Sequence, residues 1–134
     1  MDILVNIDVP DLEQGIAFYT EALPLHLVRR LFDGSVAELS GAPCRLYLLA
    51  KEAGSPAAST TTITRGYGRH WTPVHLDFVV DDIEAALRRA QDAGARQETP
   101  LQQLDWGQLV TLSDPFGNGF CLLRFHGDGY PAAS

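Results

Sequence analysis

Val9-Pro10-Asp11-Leu12 and Val80-Asp81-Asp82-Ile83 are the stretches that decide the fold, and they lie 71 residues apart. Each follows a segment in which apolar and polar residues alternate, residues 3–9 and residues 74–80. Alternation of this kind predicts a half-buried β-strand. A strand that leads into a similar junction twice at one interval predicts an internal repeat.

A helix is predicted to begin within each stretch. Asp11 followed by Gln14, and Asp81 followed by Glu84, match the capping box, in which the first side chain accepts a hydrogen bond from the backbone of the third residue on. Apolar residues at helical spacing continue both helices, and the second is predicted over residues 83–93.

Three further strands are predicted after each helix, at 25–32, 35–40 and 44–50 in the first half and at 96–99, 107–112 and 119–125 in the second. Asp33-Gly34 is a strong hairpin turn between two of them. The chain is therefore divided into module one (1–50), a linker rich in small residues (51–72) and module two (73–134). We expect an α+β fold in which two tandem βαβββ modules form a curved mixed sheet around a cup for a small molecule.

Composition excludes several classes of protein. The chain has 134 residues and a formal net charge of −7, with Lys51 as its single lysine, so the basic surface of a nucleic-acid-binding protein is not expected. No apolar run approaches the roughly 20 residues of a membrane span, and no signal peptide is expected, because Met1-Asp2-Ile3 lacks the basic and apolar regions of one. A cytoplasmic protein is expected, with Cys44 and Cys121 as reduced, buried thiols.

The sequence resembles the vicinal oxygen chelate superfamily, which includes glyoxalase I, extradiol dioxygenases, fosfomycin-resistance transferases and bleomycin-resistance proteins. The residues that carry the resemblance are Asp11-Leu12 through Phe18-Tyr19, Val80-Asp81-Asp82, Trp106-Gly107 and Asp114-Pro115-Phe116-Gly117-Asn118. The resemblance covers nearly the whole chain. It implies a homodimer, and members of this size often build each cup from one module of each chain, so pairing of the modules within one chain or between two chains stays open.

The resemblance also implies where a metal would bind. The ligand positions of metal-using members fall on Leu4, Tyr47, His75 and Cys121. Leucine cannot coordinate a metal, and a catalytic divalent ion needs about three protein ligands. Asp77, two residues after His75 on one strand, is expected to have poor chelating geometry. We therefore expect no cofactor and assign no metal ligand, and keep a divalent metal as the alternative.

Polar residues on the predicted cup faces are the candidate functional residues. His75 and Asp77 are candidate catalytic residues, as a base near neutral pH and its tuning carboxylate. The candidate ligand-binding residues are Asn6, Asp8, Arg45, Tyr47, Trp71, Trp106 and Cys121. Trp71, Trp106, Tyr67 and Phe32 are a candidate aromatic rim, with ordinary packing as the alternative. Cys121 is expected to be inert because no basic partner is identifiable.

Three functions remain open. The first is a metal-free protein that binds a small molecule, such as an antibiotic or toxic metabolite, in the manner of bleomycin-resistance proteins. The second is a metal-dependent glyoxalase-like lyase or isomerase, or a dioxygenase, acting on a small oxygenated substrate. The third is a metal-free enzyme that uses His75 with Asp77 as an acid–base pair.

Overall fold

A computed structural model of the protein describes residues 1–131. The chain forms two compact units, Met1–Gly68 and Arg69–Ser134. Each unit contains one helix and one mixed β-sheet. The fold class is therefore α+β, as predicted. None of the helices in residues 1–131 combines the length and apolar character needed to cross a bilayer.

The first unit is a four-stranded sheet with one helix. In chain order its elements are β1 (Leu4–Val9), α1 (Leu12–Ala22), β2 (His26–Leu31), β3 (Val36–Ser40) and β4 (Arg45–Ala50). The strands lie in the order β1-β4-β3-β2, with β1 parallel to β4 and the other pairs antiparallel. Val9, Leu39 and Leu48 are fully buried. The predicted turn at Asp33-Gly34 is confirmed, since both residues have positive φ angles.

The second unit is a five-stranded sheet with one helix. Its elements are β5 (Leu76–Val79), α2 (Ile83–Asp92), β6 (Arg96–Gln97), β7 (Gln102–Leu104), β8 (Gly107–Ser113) and β9 (Gly119–Phe125). The order is β5-β9-β8-β6, with β7 also paired to β8 and with β5 parallel to β9. The core of this unit contains Val110, Leu112 and Leu122, all fully buried.

The strands of the second unit differ from the prediction in several places. The strand predicted over 74–80 is limited to 76–79, the strand predicted over 96–99 ends at Gln97, and β7 was not predicted. The Glu98 backbone N–H still donates to the Thr111 carbonyl at 2.8 Å, and Pro100, which lacks a backbone N–H, cannot extend the pairing further. The residues of β7, Gln-Gln-Leu, do not alternate in polarity, and their pairing depends on the hairpin with β8.

The internal repeat is confirmed by the strand register. The two helices begin 71 residues apart, at Leu12 and Ile83. Asn6 pairs with Tyr47 in the first parallel ladder, and Asp77 pairs with Cys121 in the second. Asn6 and Asp77 are themselves 71 residues apart, so the two ladders present equivalent positions.

The helix caps confirm one prediction and correct the other. The Asp11 side chain accepts a hydrogen bond from the Gln14 backbone N–H at 2.9 Å, as predicted. In the second helix the cap is Asp82, not Asp81, and it accepts from the Ala85 backbone N–H at 3.1 Å. Asp82 is the position that the 71-residue offset from Asp11 indicates, whereas the capping-box pattern with Glu84 selected its neighbour.

The corrected cap leads to a stability prediction with a matched control. Replacing Asp82 with alanine removes the acceptor at the start of α2 and is expected to lower the free energy of unfolding by ~1 kcal/mol. Asp81→Ala removes a neighbouring carboxylate that does not cap and is expected to change it by less than about 0.5 kcal/mol. Urea denaturation measures both, and a larger effect for Asp81→Ala would contradict the assignment.

Candidate functional site

Three side chains with metal-binding or acid–base chemistry converge on one end of the second sheet. Asp77 on β5 lies directly opposite Cys121 on β9, and His75 precedes β5 by one residue. The His75 Nε2 and Asp77 Oδ1 atoms are 3.4 Å apart. One potential ligand atom from each of the three residues lies within 4.8 Å of the others.

The expectation of poor chelating geometry for His75 and Asp77 is therefore wrong. Residues i and i+2 of a strand project from the same face, and their side chains lean toward each other here. The parallel ladder then brings Cys121 beside Asp77, which spacing along one strand could not indicate. We name His75, Asp77 and Cys121 the β5/β9 cluster.

The members of the β5/β9 cluster differ in exposure, and the pKa of the most buried member, Cys121, is shifted. The side chains of His75 and Asp77 are 42% and 36% exposed, whereas Cys121 is 5% exposed. Burial raises the pKa of the Cys121 thiol to about 12, and the charge of Asp77 and a hydrogen bond with it contribute in the same direction. The thiol is therefore protonated at neutral pH, in keeping with the inert role expected for it.

The raised thiol pKa leads to a prediction about reactivity. In the folded Cys44→Ser variant, Cys121 should react very slowly with an aromatic disulfide reagent at pH 8, because the reagent needs an accessible thiolate. Asp77→Asn removes the negative charge and should raise the rate of Cys121 modification by at least about threefold. Equal rates with and without the Asp77 carboxylate would mean that Asp77 does not contribute to the raised pKa of Cys121, which would then be due to burial alone.

Trp71 forms an aromatic wall beside the cluster. Its ring meets the His75 ring edge to face, with centroids 5.3 Å apart. A Cβ atom on Gly119 would lie 2.4 Å from the Trp71 ring, so only glycine at the start of β9 lets the indole pack there. The indole Nε1–H donates to Glu98 Oε1 at 3.1 Å.

Glu98 and Arg69 hold Trp71 in place, and sequence analysis did not identify either. Arg69 forms an ion pair with Glu98, and its guanidinium lies 4.7 Å from the Trp71 ring centroid. The hydrogen bond from Arg69 is the main reason why the pKa of Glu98 lies below its ordinary value. Arg69 and Glu98 are 29 residues apart, so neither local spacing nor periodicity connects them.

In the first unit, Asp8 is held by an arginine from the segment that follows β4. Arg65 Nε donates to Asp8 Oδ2 at 2.6 Å, and the Arg65 side chain is 18% exposed. Arg65 also donates to the Pro56 carbonyl, and its own carbonyl accepts from the Gly54 backbone N–H. The pair thus ties the segment at 54–65 to β1. Sequence analysis did not identify Arg65.

A second polar group in the first unit is centred on a buried glutamate. Tyr47 donates its hydroxyl proton to Glu38 Oε1 at 2.9 Å, and Arg29 Nη2 lies 3.4 Å from the same oxygen. The hydrogen bond from Tyr47, more than Arg29 and Arg45, holds the pKa of Glu38 below its ordinary value despite its burial. Asn6 and Arg45 are exposed on the neighbouring strands.

Glu38 was missed by sequence analysis although a signal was present. It is a charged residue within Val36-Ala37-Glu38-Leu39, an otherwise apolar strand. A buried carboxylate needs partners, so its position indicates a polar contact across the sheet.

Trp71 and Trp106, two of the four aromatic residues of the predicted rim, lie at opposite ends of β9. Trp71 packs on Gly119 at the start of β9, whereas Trp106 packs on Phe125 at its end, with centroids 5.7 Å apart. Six residues of strand separate these positions by about 20 Å. In the first unit Tyr67 donates to the Lys51 carbonyl at 2.6 Å, and Phe32 is exposed at the β2–β3 turn.

Comparison with known proteins identifies the family. Residues 4–123 match the family model described as a glyoxalase-like domain. The chain belongs to this family. The match confirms the resemblance to the vicinal oxygen chelate superfamily.

Solved structures show that the glyoxalase-like protein shares its fold with known proteins of low sequence identity. It is similar to a glyoxalase-related enzyme from Fulvimarina pelagi, with a TM-score of 0.74 and 14% identity over 100% of this chain and 93% of that one. It is also similar to a glyoxalase/bleomycin resistance protein/dioxygenase family enzyme from Burkholderia phytofirmans PsJN, with a TM-score of 0.71 and 17% identity over 91% and 96% of the two chains. At these identities the likeness concerns the fold.

A curated relative matches part of the glyoxalase-like protein. It is the anthracycline biosynthesis protein DnrV of Streptomyces peucetius, 33% identical over 82 residues, which is 60% of this chain. The matched stretch spans 28% of the length of DnrV, so the chain covers less than a third of that relative.

The superfamily includes metal enzymes, and the β5/β9 cluster of the glyoxalase-like protein brings three potential ligand atoms within 4.8 Å of one another. His75, Asp77 and Cys121 offer a nitrogen, an oxygen and a sulfur atom, the ligands that zinc takes in proteins. A bound ion would have to displace the Cys121 proton, which metal coordination can do. Leu4, the equivalent of His75 in the first module, offers no ligand atom.

Proposed function

We propose that this glyoxalase-like protein binds a small molecule at the β5/β9 cluster, with Trp71 as an aromatic wall and without a catalytic metal. The observation that carries the proposal is the convergence of His75, Asp77 and Cys121 within 4.8 Å beside the Trp71 ring. A few convergent polar groups against an apolar surface are typical of small-molecule sites.

The protonation of Cys121 and the identity of Leu4 support binding over catalysis. A thiol with a pKa of about 12 is a poor nucleophile at neutral pH. The superfamily's ligand position in the first module is a leucine, so the metal ligands used by its enzymes are incomplete here. His75 and Asp77 still offer hydrogen-bonding groups, and Trp71 offers an aromatic face. These groups are enough to bind and sequester a small molecule.

The proposal is tested with a compound found by thermal-shift screening of the purified protein. Its dissociation constant, measured by calorimetry, should be unchanged after EDTA treatment, and His75→Ala should raise it by about tenfold or more. His26→Ala is the control, because His26 is an exposed histidine on β2 of the first unit. Loss of binding after EDTA treatment, with recovery on adding a metal, would overturn the metal-free proposal.

A metal-dependent lyase, isomerase or dioxygenase is the second candidate, favoured by the 4.8 Å grouping of three ligand types. Such an enzyme would hold the ion through the β5/β9 cluster, and the ion would polarise a substrate oxygen. Elemental analysis of protein purified without an affinity tag tests it. A stoichiometric metal that is lost in Cys121→Ser and kept in Cys44→Ser would support it.

A metal-free acid–base enzyme is the third candidate, and the 3.4 Å approach of His75 to Asp77 favours it. In it His75 moves the proton and Asp77 orients the imidazole. Once a substrate is identified, unchanged turnover in His75→Ala would exclude this mechanism.

We also propose that the protein forms a homodimer, as the family resemblance implies. The edge strand β2 and the turn after it carry exposed apolar side chains, with Val28 52% and Phe32 76% exposed. Exposed apolar groups along a strand edge favour association. Light scattering on the purified protein would give twice the mass of 14.6 kDa if the proposal holds and the monomer mass if it does not.

A further inference from the structure

A cavity with no residue of the β5/β9 cluster in its lining lies at the far end of β9. It has a volume of about 530 Å³ and is formed by the turn before β8 and the segment after β9. Volumes of this size accommodate small-molecule ligands. Phe125, which ends β9, is four residues beyond Cys121 and so about 13 Å along the strand.

Two of the residues that line this cavity, Trp106 and Tyr130, pack with Phe125 in a group of three aromatic rings. The ring centroids of Trp106 and Tyr130 are 5.0 Å apart, those of Phe125 and Tyr130 are 4.9 Å apart, and both contacts are edge to face. Tyr130 is 62% exposed, so its ring is available to a ligand. Aromatic faces carry negative potential and attract cations.

Backbone contacts fix the position of these rings. Trp106 lies in the turn between β7 and β8, and its carbonyl accepts a hydrogen bond from the His126 backbone N–H at 2.9 Å. Gly107 follows, where a Cβ atom would meet the Arg124 carbonyl oxygen at 2.0 Å. This close approach of β8 to β9 brings Trp106 against the segment that follows Phe125.

The charges at the cavity are acidic. Asp105 and Asp128 both line it, and among the described lining residues there is neither a lysine nor an arginine. The net charge of −7 adds a negative field over the whole chain. Two carboxylates beside aromatic rings provide both a long-range and a short-range attraction for a positive charge.

We propose that this cavity is a second binding site, and that it takes a small organic cation such as a quaternary ammonium or a protonated amine. The cation lies against the rings of Trp106 and Tyr130, while Asp105 and Asp128 balance its charge. Aromatic residues combined with carboxylates select such cations because the ring faces need no hydrogen bond from the ligand. This site is independent of the function proposed for the β5/β9 cluster.

The test uses choline as the probe and 3,3-dimethylbutan-1-ol as a neutral molecule of the same shape. The full chain has two tryptophans, so NMR spectra of their indole N–H groups report on Trp71 and Trp106 separately. Choline should shift the Trp106 signal in a saturable way and leave the Trp71 signal unchanged. The neutral analogue should bind at least about fivefold more weakly.

Substitutions decide which groups are responsible. Asp105→Asn combined with Asp128→Asn should weaken choline binding by at least about fivefold, whereas Asp92→Asn, at the end of α2, should not change it. Tyr130→Ala should weaken binding and Tyr130→Phe should retain it. The same spectra show whether each variant is folded.

The proposal is overturned by any of three results. The first is the absence of a saturable shift up to roughly 50 mM choline, which corresponds to negligible affinity. The second is equal binding of the neutral analogue. The third is a shift of the Trp71 signal in place of the Trp106 signal, which would locate the probe at the β5/β9 cluster.

Discussion

Replacing Gly107 with alanine is expected to lower the free energy of unfolding by about 2–3 kcal/mol. A Cβ atom there would lie 2.0 Å from the Arg124 carbonyl oxygen and 3.0 Å from the Arg124 carbonyl carbon. These are backbone atoms of β9, so the clash cannot be relieved by turning a side chain. The strands β8 and β9 would have to separate at the point where Gly107 pairs with Phe125.

Gly127→Ala is the matched control for this substitution. Gly127 is in the same unit, and a Cβ atom there would have no heavy atom within 4 Å. The free energy of unfolding of the Gly127→Ala variant should stay within about 0.5 kcal/mol of the wild-type value. Urea denaturation of both variants measures the difference. Equal stabilities would mean that β8 and β9 do not approach as closely as the structure shows.

Asp114→Ala is expected to cost about 2–4 kcal/mol of stability. The carboxylate is buried and accepts three hydrogen bonds, from the backbone N–H groups of Phe116 and Asn118 and from the Asn118 side-chain amide, at 2.8–2.9 Å. Alanine would leave these donors without their acceptor inside the turn. A buried donor that loses its partner keeps the full cost of its desolvation.

Asp114→Asn removes the negative charge while keeping an acceptor for the two backbone N–H groups, so it distinguishes the effect of the charge from that of these hydrogen bonds. The asparagine carbonyl can still accept from both backbone N–H groups, but its amide would face the Asn118 amide, donor against donor. A smaller loss than that of the alanine variant is therefore expected in thermal denaturation. If Asp114→Ala is as stable as the wild type, this carboxylate does not organise the turn.

The role of Asp114 explains why its motif indicates the fold and not the chemistry. Asp114-Pro115-Phe116-Gly117-Asn118 joins β8 to β9, and Gly117 has a positive φ of 94° that favours glycine. The turn also positions Gly119, on which Trp71 packs. The motif therefore builds the edge of the β5/β9 cluster without supplying any of its reactive groups.

Much of the fold was predictable because its signals are local. Alternation in β1 and in β5, and helical spacing after Asp11, each report on a few consecutive residues. The predictions that were wrong depended on contacts outside the local pattern. β7 exists because β8 pairs with it, and Asp82 caps α2 although Asp81 has the glutamate three residues on.

The candidate site was predictable only in part, for the same reason. His75, Asp77 and Cys121 stood out as reactive residue types at repeat-related positions. Their mutual distances depend on the parallel pairing of β5 with β9, which sequence spacing does not give.

The supporting ion pairs join residues that are far apart in sequence. Arg65 binds Asp8 across 57 residues, and Arg69 binds Glu98 across 29. An isolated arginine in a segment of small residues gives no indication of its partner. The structure was needed to identify these contacts.

The most direct test of the central proposal is an NMR screen of the metal-free protein with small aromatic and polar compounds. The account predicts that at least one compound produces saturable shifts at the backbone amides of residues 75–77 and 119–121, that EDTA does not alter them, and that Asp77→Ala abolishes them. Shifts confined to other surfaces, or binding that appears only after a divalent metal is added, would contradict a metal-free binding site at the β5/β9 cluster.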